Sequence, residues 1–261
     1  MKSVKHVVII WGVFALVALI AVPRTAAEEW WSQTTNPENF SATLTFASEY
    51  VFRGVSQTDN KPAVQGSFDY KHPVGLFAGI WGSNVEDYVS KGNVELDIYA
   101  GYGLELLPDF NLEASAIYYY YPGSGNDPKK SYVEGHLGMN YTLKTLPLSP
   151  KLSGGYNYSP DFFGEDGEGH YFSGRLDLSL PYEFTLYGVI GYQWVEGDKS
   201  TGNGNGENGK DGYDYTHWQV GISRPLFGFT LDLSYQDTNE ANFLGKDIAD
   251  EKIVFAVSRS F

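Results

Sequence analysis

The feature that limits this chain most is the order of its connections. Apolar and polar residues alternate along a series of segments, and the links between segments take turns at being short and long. After the second, fourth, sixth, eighth and tenth segments come His72-Pro73-Val74-Gly75, Leu107-Pro108-Asp109, Leu146-Pro147-Leu148-Ser149-Pro150, Leu180-Pro181-Tyr182 and Arg224-Pro225-Leu226; the twelfth ends the chain. After the odd segments come Thr58–Lys61, which is short, and then Asp87–Asn93, Pro122–Lys130, Pro160–Gly169, Glu196–Gly212 and Asp237–Glu251, mostly longer and more polar. Such links put every second turn on the same side of an up-and-down sheet. Short turns at one rim and long loops at the other are expected of an outer-membrane barrel, whereas a soluble sandwich has no reason to sort its loops.

The segments themselves read as strands, because side chains alternate across a strand and a period of two gives two faces. In the first, Leu44, Phe46, Tyr50 and Phe52 fall on one face, and Thr43, Thr45, Ala47, Glu49 and Arg53 on the other. Val64, Phe68 and Tyr70 oppose Gln65, Ser67, Asp69 and Lys71, and Leu76, Ala78 and Ile80 oppose Phe77, Trp81 and Ser83. Later strands follow at Val94–Leu106, Asn111–Tyr121, Tyr132–Leu143, Lys151–Ser159, His170–Leu180, Glu183–Val195, Tyr213–Arg224, Phe229–Gln236 and Lys252–Phe261. That makes twelve, an even number, most of them the length of about ten residues that a tilted strand needs to cross a bilayer. An open apolar sheet in lipid would leave edge groups unpaired, and closure removes the edges. The fold expected is therefore all-β, a transmembrane up-and-down antiparallel barrel over residues 40–261. Aromatics gather near the long loops (Tyr118–Tyr121, Tyr156, Tyr158, Tyr171, Tyr213, Tyr215, Trp218, Tyr235) and near the short turns (Phe110, Tyr182, Phe184, Phe227, Phe229, Phe261), which predicts two interfacial belts.

The N-terminus fits that destination. Lys2 and Lys5 precede an apolar run from Val7 to Val22, and Thr25-Ala26-Ala27 offers a small-residue cleavage site, so residues 1–27 read as a secretory signal. Residues 28–39 read as a flexible leader. No second apolar run is long enough for a membrane helix. Cysteine is absent, and the formal charge of −14 argues against nucleic acid, whose phosphates need clustered Lys and Arg.

Three stretches carry a family resemblance: Ser48-Glu49-Tyr50-Val51-Phe52-Arg53-Gly54-Val55-Ser56-Gln57-Thr58, Lys61-Pro62-Ala63-Val64-Gln65-Gly66-Ser67-Phe68-Asp69-Tyr70, and Gly79-Ile80-Trp81-Gly82-Ser83-Asn84-Val85. Together they resemble the N-terminal signature of the TorF-family porins of Gram-negative outer membranes. The resemblance is dense over about forty-five residues and looser beyond. It implies a place and a shape more firmly than a solute. The terminal Phe261, after Ile253, Phe255 and Val257, also resembles the closing strand that the barrel-assembly machinery reads, with Arg259 departing from the usual aromatic. Outer-membrane lipids, lipopolysaccharide and small solutes are the other partners expected.

The polar faces supply the candidate lumen: Glu49, Arg53, Asp69, Lys71, Glu95, Asp97, Glu105, Glu113, Glu134, His136, Arg175, Asp177 and Asp232. An acidic water-filled lining favours cations or neutral polar solutes; the alternative is that these groups pair and fill the interior, since twelve strands enclose a narrow bore. Glu49 and Arg53 are expected on one strand, about 13 Å apart, each meeting a partner such as Asp69 or Lys71. Catalysis is the rival class. Of the histidines, His72 sits in a turn, His170 opens a strand, and His136 and His217 face inward without a surrounding Ser/His/acid motif, so no enzyme is expected. The loops Gly164–Gly169 and Thr201–Gly212 are oxygen-rich but match no calcium-binding pattern, and no cofactor or metal is expected. The chain thus reads as a passive channel, with a closed structural or adhesive barrel next and a lipid-modifying enzyme third.

Overall fold

The computed structural model describes residues 33–125, 129–197, 214–239 and 247–261. The proposed signal, residues 28–32 of the leader and the Thr201–Gly212 loop lie outside the described residues. Residues 33–39 form a small unit ending in a 3-10 turn, Pro37–Asn39.

Among the described residues of the second unit, twelve strands close into an antiparallel barrel and two short ones form a separate hairpin. In chain order they are β1 (Phe40–Ala47), the hairpin pair β2 (Val51–Phe52) and β3 (Val55–Ser56), β4 (Ala63–Lys71), β5 (Leu76–Asn84), β6 (Val94–Leu107), β7 (Phe110–Tyr120), β8 (Tyr132–Thr142), β9 (Lys151–Ser159), β10 (Gly169–Ser179), β11 (Thr185–Val195), β12 (Tyr215–Leu226), β13 (Phe229–Thr238) and β14 (Lys252–Ser260). Each wall strand pairs with the next, so the topology is a plain meander. The last step joins β14 to β1, in register Thr43↔Ser260 through Ala47↔Ala256. That seam is sealed by Ala42 N–H to Phe261 O (3.2 Å), Phe261 N–H to Ala42 O (2.9 Å) and a hydroxyl pair, Thr43 to Ser260, at 3.0 Å.

The wall is inverted relative to a soluble protein. Phe46, Phe68, Ile80, Ile98, Leu137, Met139, Ile190, Val220, Ile253 and Phe255 stand on its outside and are all exposed. So many unburied apolar side chains need an apolar surround, because a soluble monomer seldom exposes a contiguous patch of this kind. Arg259, the residue out of place in the last strand, is stacked between Phe229 (5.3 Å) and Phe261 (5.1 Å) beside the short turns. There its guanidinium lies over two aromatic faces, a favourable cation–π placement.

One expectation fails. The first strand does not run on to Phe52. It stops at Ala47, and residues 48–62 fold back into the barrel through its loop-bearing end. Tyr50 and Phe52, assigned by parity to the lipid side, lie inside. The turn explains why: Arg53 (φ 50°) and Gly54 (φ 85°) both take left-handed backbone, the requirement of a tight two-residue hairpin turn. Gly54 is also forced by space, since a Cβ there would lie 2.6 Å from Thr238 Cγ2 on β13 and 2.7 Å from His217 Cβ on β12.

Candidate functional site

The interior is where the functional side chains meet, and the alternation of each strand decides which do. Glu95, Asp97 and Glu105 of β6, Glu113 and Tyr119 of β7, Glu134 and His136 of β8, Tyr171, Arg175 and Asp177 of β10, Gln193 of β11, His217 of β12 and Asp232 of β13 all stand on inward parity. Asp69 and Lys71 do so on β4. The folded-in hairpin adds Glu49, Tyr50 and Arg53.

Two zones result. At the loop end the hairpin tip crosses the bore and docks on the opposite wall. Arg53 makes a forked contact with Glu134, Nη1 to Oε1 at 3.0 Å and Nη2 to Oε2 at 2.6 Å, and Nη1 also reaches Gln193 Oε1 at 2.7 Å. Its guanidinium lies over the ring of Tyr171 at 4.0 Å. Glu134 further accepts from the Tyr119 hydroxyl (3.2 Å) and the Asn157 amide (3.2 Å), so its oxygens are fully engaged. Side chains of the pair are 5% and 2% exposed. Burial by itself would disfavour the guanidinium charge, but the facing Glu134 carboxylate outweighs it and raises the Arg53 pKa above its ordinary value. Charge-assisted forks of this kind are among the strongest side-chain contacts, and stranding one partner of a buried pair costs about 3–5 kcal/mol.

Apolar packing completes the closure. Tyr50, Val85, Val89, Tyr119, Tyr121, Tyr132, Phe162 and Val195 form one buried cluster, against which Phe52 and Trp81 pack; Val55, Tyr215, Ile248 and Ala249 form another. Tyr119 and Tyr132 stack at 4.5 Å between ring centres. These tyrosines therefore do not all belong to a lipid belt: Tyr119, Tyr121, Tyr171 and Tyr215 face inward and cap the bore. Parity along β7, which puts Glu113 inward, was the signal that assigns Tyr119 and Tyr121 to the same side.

The expected partnership of Glu49 and Arg53 with Asp69 and Lys71 is also overturned, because the chain leaves the wall at Ser48. Glu49 faces Ser56 and Lys252 instead, and burial raises its pKa against the opposing pull of those two groups. Asp69 accepts from Ser67 Oγ (2.6 Å) and from the Tyr99 hydroxyl. Tyr50 donates to Glu95 at 3.3 Å.

Toward the short-turn end the interior changes character. Glu113, His136, Asn140, Ser153, Tyr171 and Arg175 border an open space of about 390 Å³. Arg175 forks onto Asp177 (2.6 and 2.9 Å) and lies over the ring of Tyr187 at 4.1 Å; that tyrosine donates to Asp232 at 3.0 Å. His136 pairs with Asn157 at 3.0 Å, and His217 with the Tyr171 hydroxyl at 2.8 Å. Glu105 Oε1 accepts the Asp109 backbone N–H at 2.8 Å, beside the turn. Lys151 and Lys252, not singled out by charge pattern, occupy inward positions on β9 and β14. Among the described residues no cluster of three or more His, Asp or Glu side chains is placed to hold a metal ion.

A closed twelve-strand wall with a charge-lined bore and a strand-borne plug is matched from residue 32 to residue 261 by a family described as "Bacterial protein of unknown function (Gcw_chp)". The chain belongs to the Gcw_chp family. No curated protein sequence matches it. Among solved structures, this Gcw_chp protein is similar to one described as "KdgM porin in complex with disordered oligogalacturonate", with a TM-score of 0.56 and 8% identity over 85% of this chain and 99% of that one. It is similar also to a NanC porin, with a TM-score of 0.55 and 8% identity over 84% of this chain and 97% of the other. At such identity the likeness is one of fold.

Proposed function

We propose that this Gcw_chp barrel is an outer-membrane channel of the TorF-porin kind, through which small polar solutes diffuse passively. The observation that carries the reading is the charged half of the bore, open beside Glu113, His136 and Arg175 rather than filled by apolar packing. A barrel built only for structure gains nothing from leaving such a charged space unfilled. The exposed apolar wall supports a lipid surround, and the N-terminal signal supports export to the outer membrane, with the N- and C-termini of the barrel on the periplasmic side. The porin fold of the similar structures supports the same reading.

Selectivity follows from the lining. Asp69, Glu105, Glu113, Asp177 and Asp232 outnumber Lys71, Lys151 and Arg175 around the open half, so cations and neutral solutes are favoured over anions. The role is non-catalytic: His136 and His217 serve as hydrogen-bond partners within the lumen network. Reversal potentials across planar bilayers under a salt gradient test this directly. A potential of the sign set by cation flux is expected; an anion-selective potential, or none from correctly folded protein, would remove the reading.

One observation favours a second reading. The hairpin and its aromatic cluster close the loop-bearing mouth, as a structural or adhesive barrel would require. Swelling of liposomes in small sugars separates the two, because a permanently sealed barrel admits none.

A further inference from the structure

The segment between β1 and β4 is held differently from every wall strand. Its two strands pair with each other and with nothing in the barrel sheet. The backbone bonds between it and its surroundings are Ser48 N–H to Phe255 O (2.8 Å), Ser56 N–H to Ile248 O (2.7 Å) and Glu86 N–H to Gln57 O (2.9 Å). The first sits where the segment leaves the wall and the third near where it returns. Between those roots the hairpin is gripped by the Ser56–Ile248 bond, by the Tyr88 hydroxyl donating to Ser56 O (2.6 Å), and by the packing of Tyr50, Phe52 and Val55 in the two apolar clusters. Across the bore it is gripped by Arg53 on Glu134 and Gln193 and by Tyr50 on Glu95. By comparison β10 alone shares eleven residue pairs with β11, Gly169↔Val195 through Ser179↔Thr185.

We propose that this hairpin is a gate and that the Arg53–Glu134 pair is its latch, shut in the conformation described and opening when the tip swings toward the loop end. The inference rests on the channel reading above. Its physical basis is the thermodynamics of a buried ion pair. When both partners separate into water, hydration restores most of what the contact supplied, so the intact pair itself adds little net bias, and the packing of Tyr50, Phe52 and Val55 supplies the rest of the hold. Removing one partner is different, because the other is then stranded in a dry site whenever the gate is shut. A latch of this kind can therefore be shifted in either direction by substitution. An apolar contact would resist opening throughout. The turn residues Asp59 (φ 54°) and Asn60 (φ 58°) take left-handed backbone beside the returning root, and the Asn60 N–H donates to Ser56 Oγ at 3.1 Å. The hairpin is thus paired within itself and has a defined bend where it returns to the wall.

The chain has no cysteine, so one introduced thiol reports the position of the gate. Val55 is buried beneath the mouth, and Val55→Cys would be shielded while the hairpin is shut. In the folded barrel in liposomes, we expect a membrane-impermeant maleimide to react with Val55→Cys slowly. Adding Glu134→Gln should speed that reaction by about tenfold or more and raise channel open probability in planar bilayers. The double variant Arg53→Met with Glu134→Leu replaces the charges by apolar contact and should slow labelling below the parent and hold the channel shut. Retention of the folded barrel in each variant is read from its β-sheet circular dichroism. Equal labelling rates in parent and Glu134→Gln, or a double variant that opens as readily as Glu134→Gln, would overturn the latch. A third protein, with residues 51–56 replaced by a short glycine–serine link, separates the two claims. If that barrel conducts while Glu134→Gln behaves as the parent, the gate inference fails alone. If it folds and passes no current, the channel reading fails and the gate with it.

Discussion

At the scale of single residues, Gly54 is the position with least freedom. Left-handed backbone and the nearness of Thr238 and His217 both exclude a side chain there. Gly54→Ala should therefore destabilise the docked hairpin by more than about 1 kcal/mol, visible as faster proteolytic cutting within residues 48–62 while the wall stays intact. A second residue-scale expectation concerns Tyr119, whose hydroxyl is one of the donors to Glu134. Tyr119→Phe keeps the stacked ring and removes one bond, so its effect on thermal stability should be of the order of 1 kcal/mol, smaller than for any variant that strands Arg53. What could be read from sequence at this scale was parity. It separates Glu95 and Asp97 from Leu96 and Ile98 without any structure. Partners were not readable, because Arg53 and Glu134 are eighty-one positions apart and nothing local links them.

At the scale of elements, the wall strands were legible and the hairpin was not. From β4 to β14 the period of two persists, punctuated by Pro and Gly turns, and each strand stands close to where alternation puts it. The exception is residues 48–56. They continue the same alternation, so pattern alone extends β1 through Phe52; the decisive signal is the Arg53-Gly54 pair, a turn-former set inside an apparent strand. The faces of a wall strand also respond differently to charge. Ile98→Arg places a cation on the outward face of β6, where Ile98 is 58% exposed, and should cost about 2–4 kcal/mol if it lies near the bilayer midplane. Ser115→Arg, inward on the neighbouring β7 and paired with Gly101, should cost far less. Urea titration of folding into phospholipid vesicles measures both.

At the scale of the whole molecule, the outcome is set by the sum of the lining. Lowering pH neutralises carboxylates and leaves Lys71, Lys151 and Arg175 charged, so the net interior charge becomes less negative. Cation preference should therefore weaken on acidification and return when neutral pH is restored, a shift followed by reversal potential. High salt should blunt the same preference by screening. The acidic balance of the sequence pointed to this lining, but it could not show that one half of the bore is open and the other packed with side chains, since that division depends on where a single short segment turns inward.

The seam between β1 and β14 has a consequence for how such a molecule comes into being. On one side β1 finds its neighbour in β4, Ala47 meeting Ala63; on the other it must wait for Thr43 to meet Ser260. Half of the earliest strand's backbone partners are thus made last, and the ring cannot be built by accretion. A chain halted before Lys252 would lack β14 and so leave β1 and β13 as two raw edges with nothing to satisfy them in lipid.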